Sequence, residues 1–270
     1  MPDAVELARL VGEKFISRKD VKAFQRPDGA WFPVTGRRPS DPLYATDPQY
    51  EPMKMSDFTR HFSGEQTMGH YMLGADGNCK LFAFDLDLRK SAPDADPPFV
   101  PLVQDDEHEP YPCDMRAVWL DPTAPQRPYL CVALRTMADG LAMSIHRRLQ
   151  VPVAIADSGG KGLHVYAFTG SLPASTQREL AKGILEGLGM EPTKGDNFYR
   201  PIGYESKVEV EVFPKQDSLD GKNLGNLMKL PLGINQKSKR PSTFITSRAG
   251  YDTLQPMDPI DALSGDLPWE

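Results

Sequence analysis

The sequence predicts a mixed α/β or α+β fold of two layers. Helical and strand patterns alternate early in the chain, strand patterns dominate late, and no internal repeat appears. Residues 3–16 set Val5, Leu7, Leu10, Val11 and Phe15 at helical spacing, which predicts an amphipathic first helix. Residues 24–54 hold prolines at 27, 33, 39, 42, 48 and 52 and read as loop, with a short strand pair around Trp31 and Phe32. Ser56 is an N-cap candidate for a short helix over 56–62.

Residues 79–87, CKLFAFDLD, are an apolar and aromatic run between turn signals, and predict a central strand. Residues 90–128 differ sharply, with nine prolines and the acids Asp94, Asp96, Asp105, Asp106, Glu107 and Glu109. They read as an excursion or lid, a mobile acidic loop rather than core. Leu130, Leu134, Met137, Leu141, Ile145 and Leu149 predict a long helix over 129–149. Strands follow at 151–156 and 163–168, joined by DSGGKG, then a helix over 174–188. Residues 207–213 alternate strictly, with Val208, Val210 and Val212 on one face and Glu209 and Glu211 on the other. The end mixes a strand-like Thr243–Thr246 with an acidic, proline-bearing tail.

Composition narrows the function. The chain has 270 residues, 40% hydrophobic and 25% charged, which excludes a wholly disordered or fibrous protein. A net charge of −6 excludes a polycation, so nucleic-acid contact requires a local basic patch. Cys79, Cys113 and Cys131 are odd in number and far apart, which argues against a disulfide framework, a Cys-x-x-Cys zinc site and an oxidising compartment. The start lacks the apolar core of a signal peptide, and no run approaches the roughly 18 apolar residues of a spanning helix. A membrane role is excluded, and the cytoplasm is the expected location.

Four segments carry chemistry. In FDLD, Asp85 and Asp87 are two residues apart on a strand and project from one face. Paired carboxylates repel unless a cation lies between them, and hard oxygen donors suit Mg²⁺ or Mn²⁺. A solvated strand end is the competing interpretation. In DSGGKGLHVYAF, Ser158, Gly159, Gly160 and Lys161 form a loop that can cradle phosphate, and His164 shares a strand face with Tyr166. It is not a Walker A loop, because a strand follows it. In VEVEVF, Glu211 is a third carboxylate, with Glu209 as the competing one and a solvated edge strand as the plainer alternative. Residues 213–248 reverse the sign of the chain, with Lys215, Lys222, Lys229, Lys237, Lys239, Arg240 and Arg248 against Asp217 and Asp220. Such a stretch binds a phosphate backbone or is a solvated charged face. Together, three carboxylates, a phosphate loop and a basic stretch match the parts of two-metal nucleotidyl transfer.

LFAFDLD, SGGKGLHVYAF, VEVFPKQDSL and GNLMKLPLGIN resemble, in order and spacing, the archaeo-eukaryotic primase superfamily over about His61 to Ile234. The likeness is to primase-polymerases of phages, plasmids, conflict systems and CRISPR-associated loci, and to the polymerase domain of end-joining ligases. The resemblance implies an N-terminal α/β module facing a sheet like an RNA-recognition motif, with the active site in the cleft. It implies two divalent ions, Mg²⁺ or Mn²⁺, on Asp85, Asp87 and Glu211, and nucleotide phosphates at His164, with NTPs or dNTPs as substrates. Ser158, Gly159, Gly160, Lys161 and Lys215 are further nucleotide-binding candidates, and Tyr71, in the similar segment HFSGEQTMGHYML, is a candidate neighbour of the sugar. Lys222, Lys229, Lys237, Lys239 and Arg240 are candidates for template contact. The family's Ser-x-His has Gly162 at its serine position here, and no zinc-type cysteine cluster is present. The expected activity is primer synthesis on single-stranded DNA in a bacterial host, within a phage or mobile element, with a helicase as a partner or fused domain. The expected catalytic domain spans 1–250, and 251–270 is a tail or linker. A catalytically inactive single-strand-binding module and a metal-dependent nucleotide-sugar transferase are the alternatives.

Overall fold

A computed structural model describes residues 4–91, 102–103, 111–202, 206–219, 224–246 and 250–264. The first part of the chain gives α1 (Ala4–Phe15), β1 (Ala23–Gln25), β2 (Trp31–Pro33), α2 (Met55–Phe62), β3 (Met68–Tyr71), β4 (Asn78–Cys79) and β5 (Phe82–Leu88). The middle gives β6 (Leu102–Val103), β7 (Tyr111–Pro112), α3 (Met115–Leu120), α4 (Arg127–Leu149), β8 (Val153–Asp157), β9 (Gly162–Ala167), β10 (Leu172–Pro173) and α5 (Ala174–Gly187). The remainder gives β11 (Met190–Lys194), β12 (Phe198–Pro201), β13 (Val208–Phe213), β14 (Leu227–Lys229), β15 (Thr243–Phe244) and α6 (Pro259–Ser264).

The fold is α+β. A seven-stranded sheet runs β11-β12-β13-β5-β9-β8-β15, antiparallel throughout. One face is closed by α4 and α5: Phe84, Leu86, Val165, Val210 and Val212 pack with Leu134, Leu141, Ile145 and Ile184. The opposite face is covered along part of its length by the N-terminal module. There Ala83, Tyr166, Ala156 and Phe213 pack with Val11, Phe15, Met68 and Met228. That module contributes a second sheet, β14-β3-β1-β2. No helix among the described residues is long and apolar enough to cross a membrane.

Three local expectations differ from the structure. The N-cap of α2 is Lys54, with Ser56 inside the helix, because Asp57 accepts the Lys54 N–H at 2.8 Å and pairs with buried Lys22. Part of the 90–128 segment is core. Asp114 caps α3 by accepting the N–H groups of Arg116 and Ala117, and Met115 and Trp119 are buried against α4. The lid expectation for residues 92–101 and 104–110 lies outside the described residues. The segment expected to be a tail contributes α6, whose Ala262 and Leu263 join the core around α1, while buried Arg135 of α4 donates to the Thr253 carbonyl.

Candidate active site

Register assembles the acids. Asp85 lies directly across from His164 on one side and Glu211 on the other, and Asp87 from Gly162 and Glu209. Residues opposite one another in an antiparallel pair share a face, so Asp85, Asp87, His164 and both glutamates stand on the half-covered face. Phe84, Leu86 and Leu88 point the other way into the core. The cleft in front of this face has a volume of about 780 Å³, and its far wall comes from the second sheet. A nucleotide fits such a volume.

Each carboxylate carries a cationic or imidazole partner. His164 Nε2 lies 3.3 Å from Asp85 Oδ1, Lys161 contacts Asp87, and Lys215 Nζ lies 2.6 Å from Glu211 Oε1. The other ring nitrogen of His164 meets the hydroxyl of buried Tyr166 at 2.8 Å. Burial, then repulsion from Asp85, pushes the Asp87 carboxyl up to about 7, against the pull of Lys161. Burial also acts to raise Asp85, but His164, Lys161 and Lys229 together outweigh it and its carboxyl lies below the ordinary value. Burial raises Glu211 despite Lys215. It also lowers the ammonium of Lys229 to about 8, against attraction to Asp157 and Asp85.

The β8–β9 loop is tied to the second half of the chain. Gly159 has φ +65°, and a Cβ there would lie 2.7 Å from the Arg240 carbonyl. Lys229 donates to the Ser158 carbonyl and Ser238 to the Gly159 carbonyl. Two loop donors are already used. The Gly159 N–H goes to Asp157 at 2.8 Å and the Gly160 N–H to Ser158 Oγ at 3.1 Å. Side-chain cations, more than these two amides, therefore face any anion in the cleft. Gly162 explains the missing serine of Ser-x-His, since a Cβ there would collide with the Leu86 carbonyl.

Residues 8–263 match the family model of the archaeo-eukaryotic primase domain of TOTE conflict systems. The chain belongs to that family. No curated protein matches it. The family is one of primase-like nucleotidyltransferases.

Within this primase domain, Asp85, Asp87, Ser158, Gly160, Lys161, His164, Lys229 and Lys237 all line the cleft. Glu211 and Lys215 stand beside it, through the pairing with Asp85. Lys239 is bonded to Gln236. Arg240 is committed to the frame: it donates to Asp157 at 3.1 Å and to the Trp119 carbonyl at 3.3 Å. Tyr71 is buried in a small cluster with Val21 and Ala23, away from the cleft lining. Lys222 and Arg248 lie outside the described residues. Residues absent from the sequence-based set also line the cleft: Arg116 and Lys90 at one end, Trp31, Gln25 and Asn235 on the far wall. Arg116 was hidden in the proline-rich segment, although the Asp114-x-Arg116-Ala117 cap was a usable helix signal.

Proposed function

We propose that this domain is a template-dependent primase-polymerase that joins nucleotides on single-stranded DNA. The observation that carries the proposal is the register that sets Asp85 between His164 and Glu211, with Asp87 one step along, in a cleft edged by Lys161, Lys229 and Lys237. Asp85, Asp87 and Glu211 would hold two divalent ions, Mg²⁺ or Mn²⁺. Among the described residues no group of three or more His, Cys, Asp and Glu side chains is gathered closely enough for a metal ion. What supports the reading is that Lys161 and Lys215 supply to Asp87 and Glu211 the positive charge that ions would supply. When bound, such ions activate the primer 3′-hydroxyl and stabilise the leaving pyrophosphate. The chain's own groups do the rest. Lys161, Lys215 and Lys229 neutralise the triphosphate, and His164, oriented by Tyr166, donates to a phosphate oxygen. The two packed sheets hold the reactants in line. Template, primer and a helicase are the expected partners, in a conflict system of a mobile element.

The test is a gel assay on single-stranded DNA, with and without an annealed primer, using labelled NTPs or dNTPs and Mg²⁺ or Mn²⁺. We expect product from the natural sequence and none from D85A/D87A, with the fold of the variant kept by circular dichroism. Extension by the double variant would refute the carboxylate assignment. Product only from primed template would make the domain an extending polymerase, and binding without product an inactive single-strand-binding module.

A further inference from the structure

The far wall of the cleft holds a large aromatic side chain that the primase reading leaves without a role. Trp31 lines the cleft from β2, across from Asp85 and Asp87. Its ring reaches across β1 to a point where β3, the next strand but one, has no side chain: a Cβ at Gly69 of β3 would lie 2.9 Å from Trp31 Cζ3 and 2.5 Å from Leu227 Cδ2. Gly69 thus makes room for the indole beside Leu227. The ring is half-buried, and among the described residues it has no hydrogen bond, no ring partner and no cation over it. An indole left this way in a polar, cation-edged cleft differs from the other large rings nearby. Phe15, Tyr166 and Phe168, for example, pack edge to face or stack in the core. Lys229, Lys237, Gln25, Asp28 and Asn235 line the same cleft.

We infer that Trp31 is a stacking platform for a nucleobase, with Gly69 and Leu227 as its seat. The inference rests on the nucleotide-binding reading of the cleft and adds a base subsite to it. Every base has a π face, so such a platform tolerates any base and contributes affinity without reading sequence. The base belongs either to the incoming nucleotide or to the strand, and the test separates the two.

The protein is studied with Trp269 replaced by Phe, so that emission comes from Trp31 and from Trp119, which is fully buried. Three probes are titrated at constant Mg²⁺: dATP, inorganic tripolyphosphate and oligo(dT). We expect dATP or oligo(dT) to quench emission and tripolyphosphate to bind without quenching. W31L should weaken binding of the quenching probe by about 5- to 100-fold, the range of one stacked base, and leave tripolyphosphate affinity unchanged. W31F should retain most of the affinity. Weakening confined to dATP assigns the base to the nucleotide, and weakening confined to oligo(dT) assigns it to the strand. Unchanged affinity of W31L for both overturns the platform while the phosphate site stands. If the natural sequence binds none of the probes, the nucleotide-binding reading fails as well.

Discussion

The two faces of the seven-stranded sheet come from the same strands and do opposite things. On β5, Phe84, Leu86 and Leu88 enter a closed core under α4 and α5, while Ala83, Asp85 and Asp87 form the other face. That second face is apolar only as far as Ala83 and Tyr166, where α1 covers it, and becomes charged where the cover stops. One residue of spacing therefore separates a packing role from a chemical one. Substitutions on the closed face should cost stability and spare chemistry. Substitutions on the open face should do the reverse.

The largest effect is expected on the closed face. Phe84→Ala removes a fully buried ring in edge contact with Phe82, and should lower unfolding stability by about 3–5 kcal/mol, read from urea midpoints. Nucleotide binding by the fraction still folded should be unchanged. A loss below 1 kcal/mol, or a selective loss of binding, would break the division between faces.

The next effect belongs to buried polar groups near the second sheet. His61 accepts the Met68 N–H at 3.0 Å and donates to the Pro231 carbonyl at 2.8 Å, so it is held neutral. Burial lowers it to about 4, and burial alone lowers His70 to about 3. The unfolded chain protonates both at the ordinary value of 6.5. Below that pH the unfolded state binds more protons, so stability is complete above about 6.5 and falls until about pH 4 for His61 and about 3 for His70. Asp87 opposes this, since its folded-state carboxyl, raised to about 7, takes up a proton over the same range; in Asp87→Asn, where that offset is gone, moving from pH 7.5 to 5.5 should cost about 2–3 kcal/mol. Equal urea midpoints of Asp87→Asn at the two pH values would show that neither ring is buried neutral.

These contrasts also show what the sequence could reveal. The alternation in residues 207–213 and the Asp85-x-Asp87 pair are local, period-two signals, and the structure keeps both. Which glutamate faces Asp85 is a matter of register between strands far apart in the chain, and the sequence left Glu209 and Glu211 in competition. The pairing puts Glu211 opposite Asp85 and Glu209 opposite Asp87, where Arg200 lies 3.7 Å from Glu209. Tyr71 fits the similar segment preceding the aspartates, but its side of the small sheet is a tertiary fact that no local pattern carries. Composition misled for α3, because prolines and acids around it outweighed a six-residue helix anchored by Met115 and Trp119. Trp31 was legible only as a strand residue; its place in the cleft depends on a glycine in another strand.

On the open face, Lys161 and Lys215 should set ligand affinity by about one order of magnitude. Replacing both with Met leaves Asp87 and Glu211 without their cationic partners. Affinity for Mn²⁺ should rise several-fold, since an ion no longer competes with ammonium groups, while affinity for tripolyphosphate should fall at least tenfold, about the lower end of the 1.5–3 kcal/mol of a charge-assisted bond. Calorimetry with each ligand separates the two. Unchanged Mn²⁺ affinity would mean that the lysines do not stand in for ions.

The smallest effect concerns Tyr166, which sits at the boundary between the covered and open parts of one face. Its ring packs on Phe15 at 4.9 Å, and its hydroxyl holds His164 at 2.8 Å. Burial, then Asp85, raises the phenol well above its ordinary value, so it stays protonated and can donate to the ring nitrogen. The imidazole then presents its other N–H toward Asp85 and the cleft. Tyr166→Phe keeps the ring in the core and removes only this orienting bond, which is worth about 1 kcal/mol. Stability should change little, while kcat falls a few-fold. Tyr166→Leu, which removes the packing too, should lose stability in addition. A kcat in Tyr166→Phe identical to that of the natural sequence would confine Tyr166 to the core and leave His164 oriented by Asp85 alone.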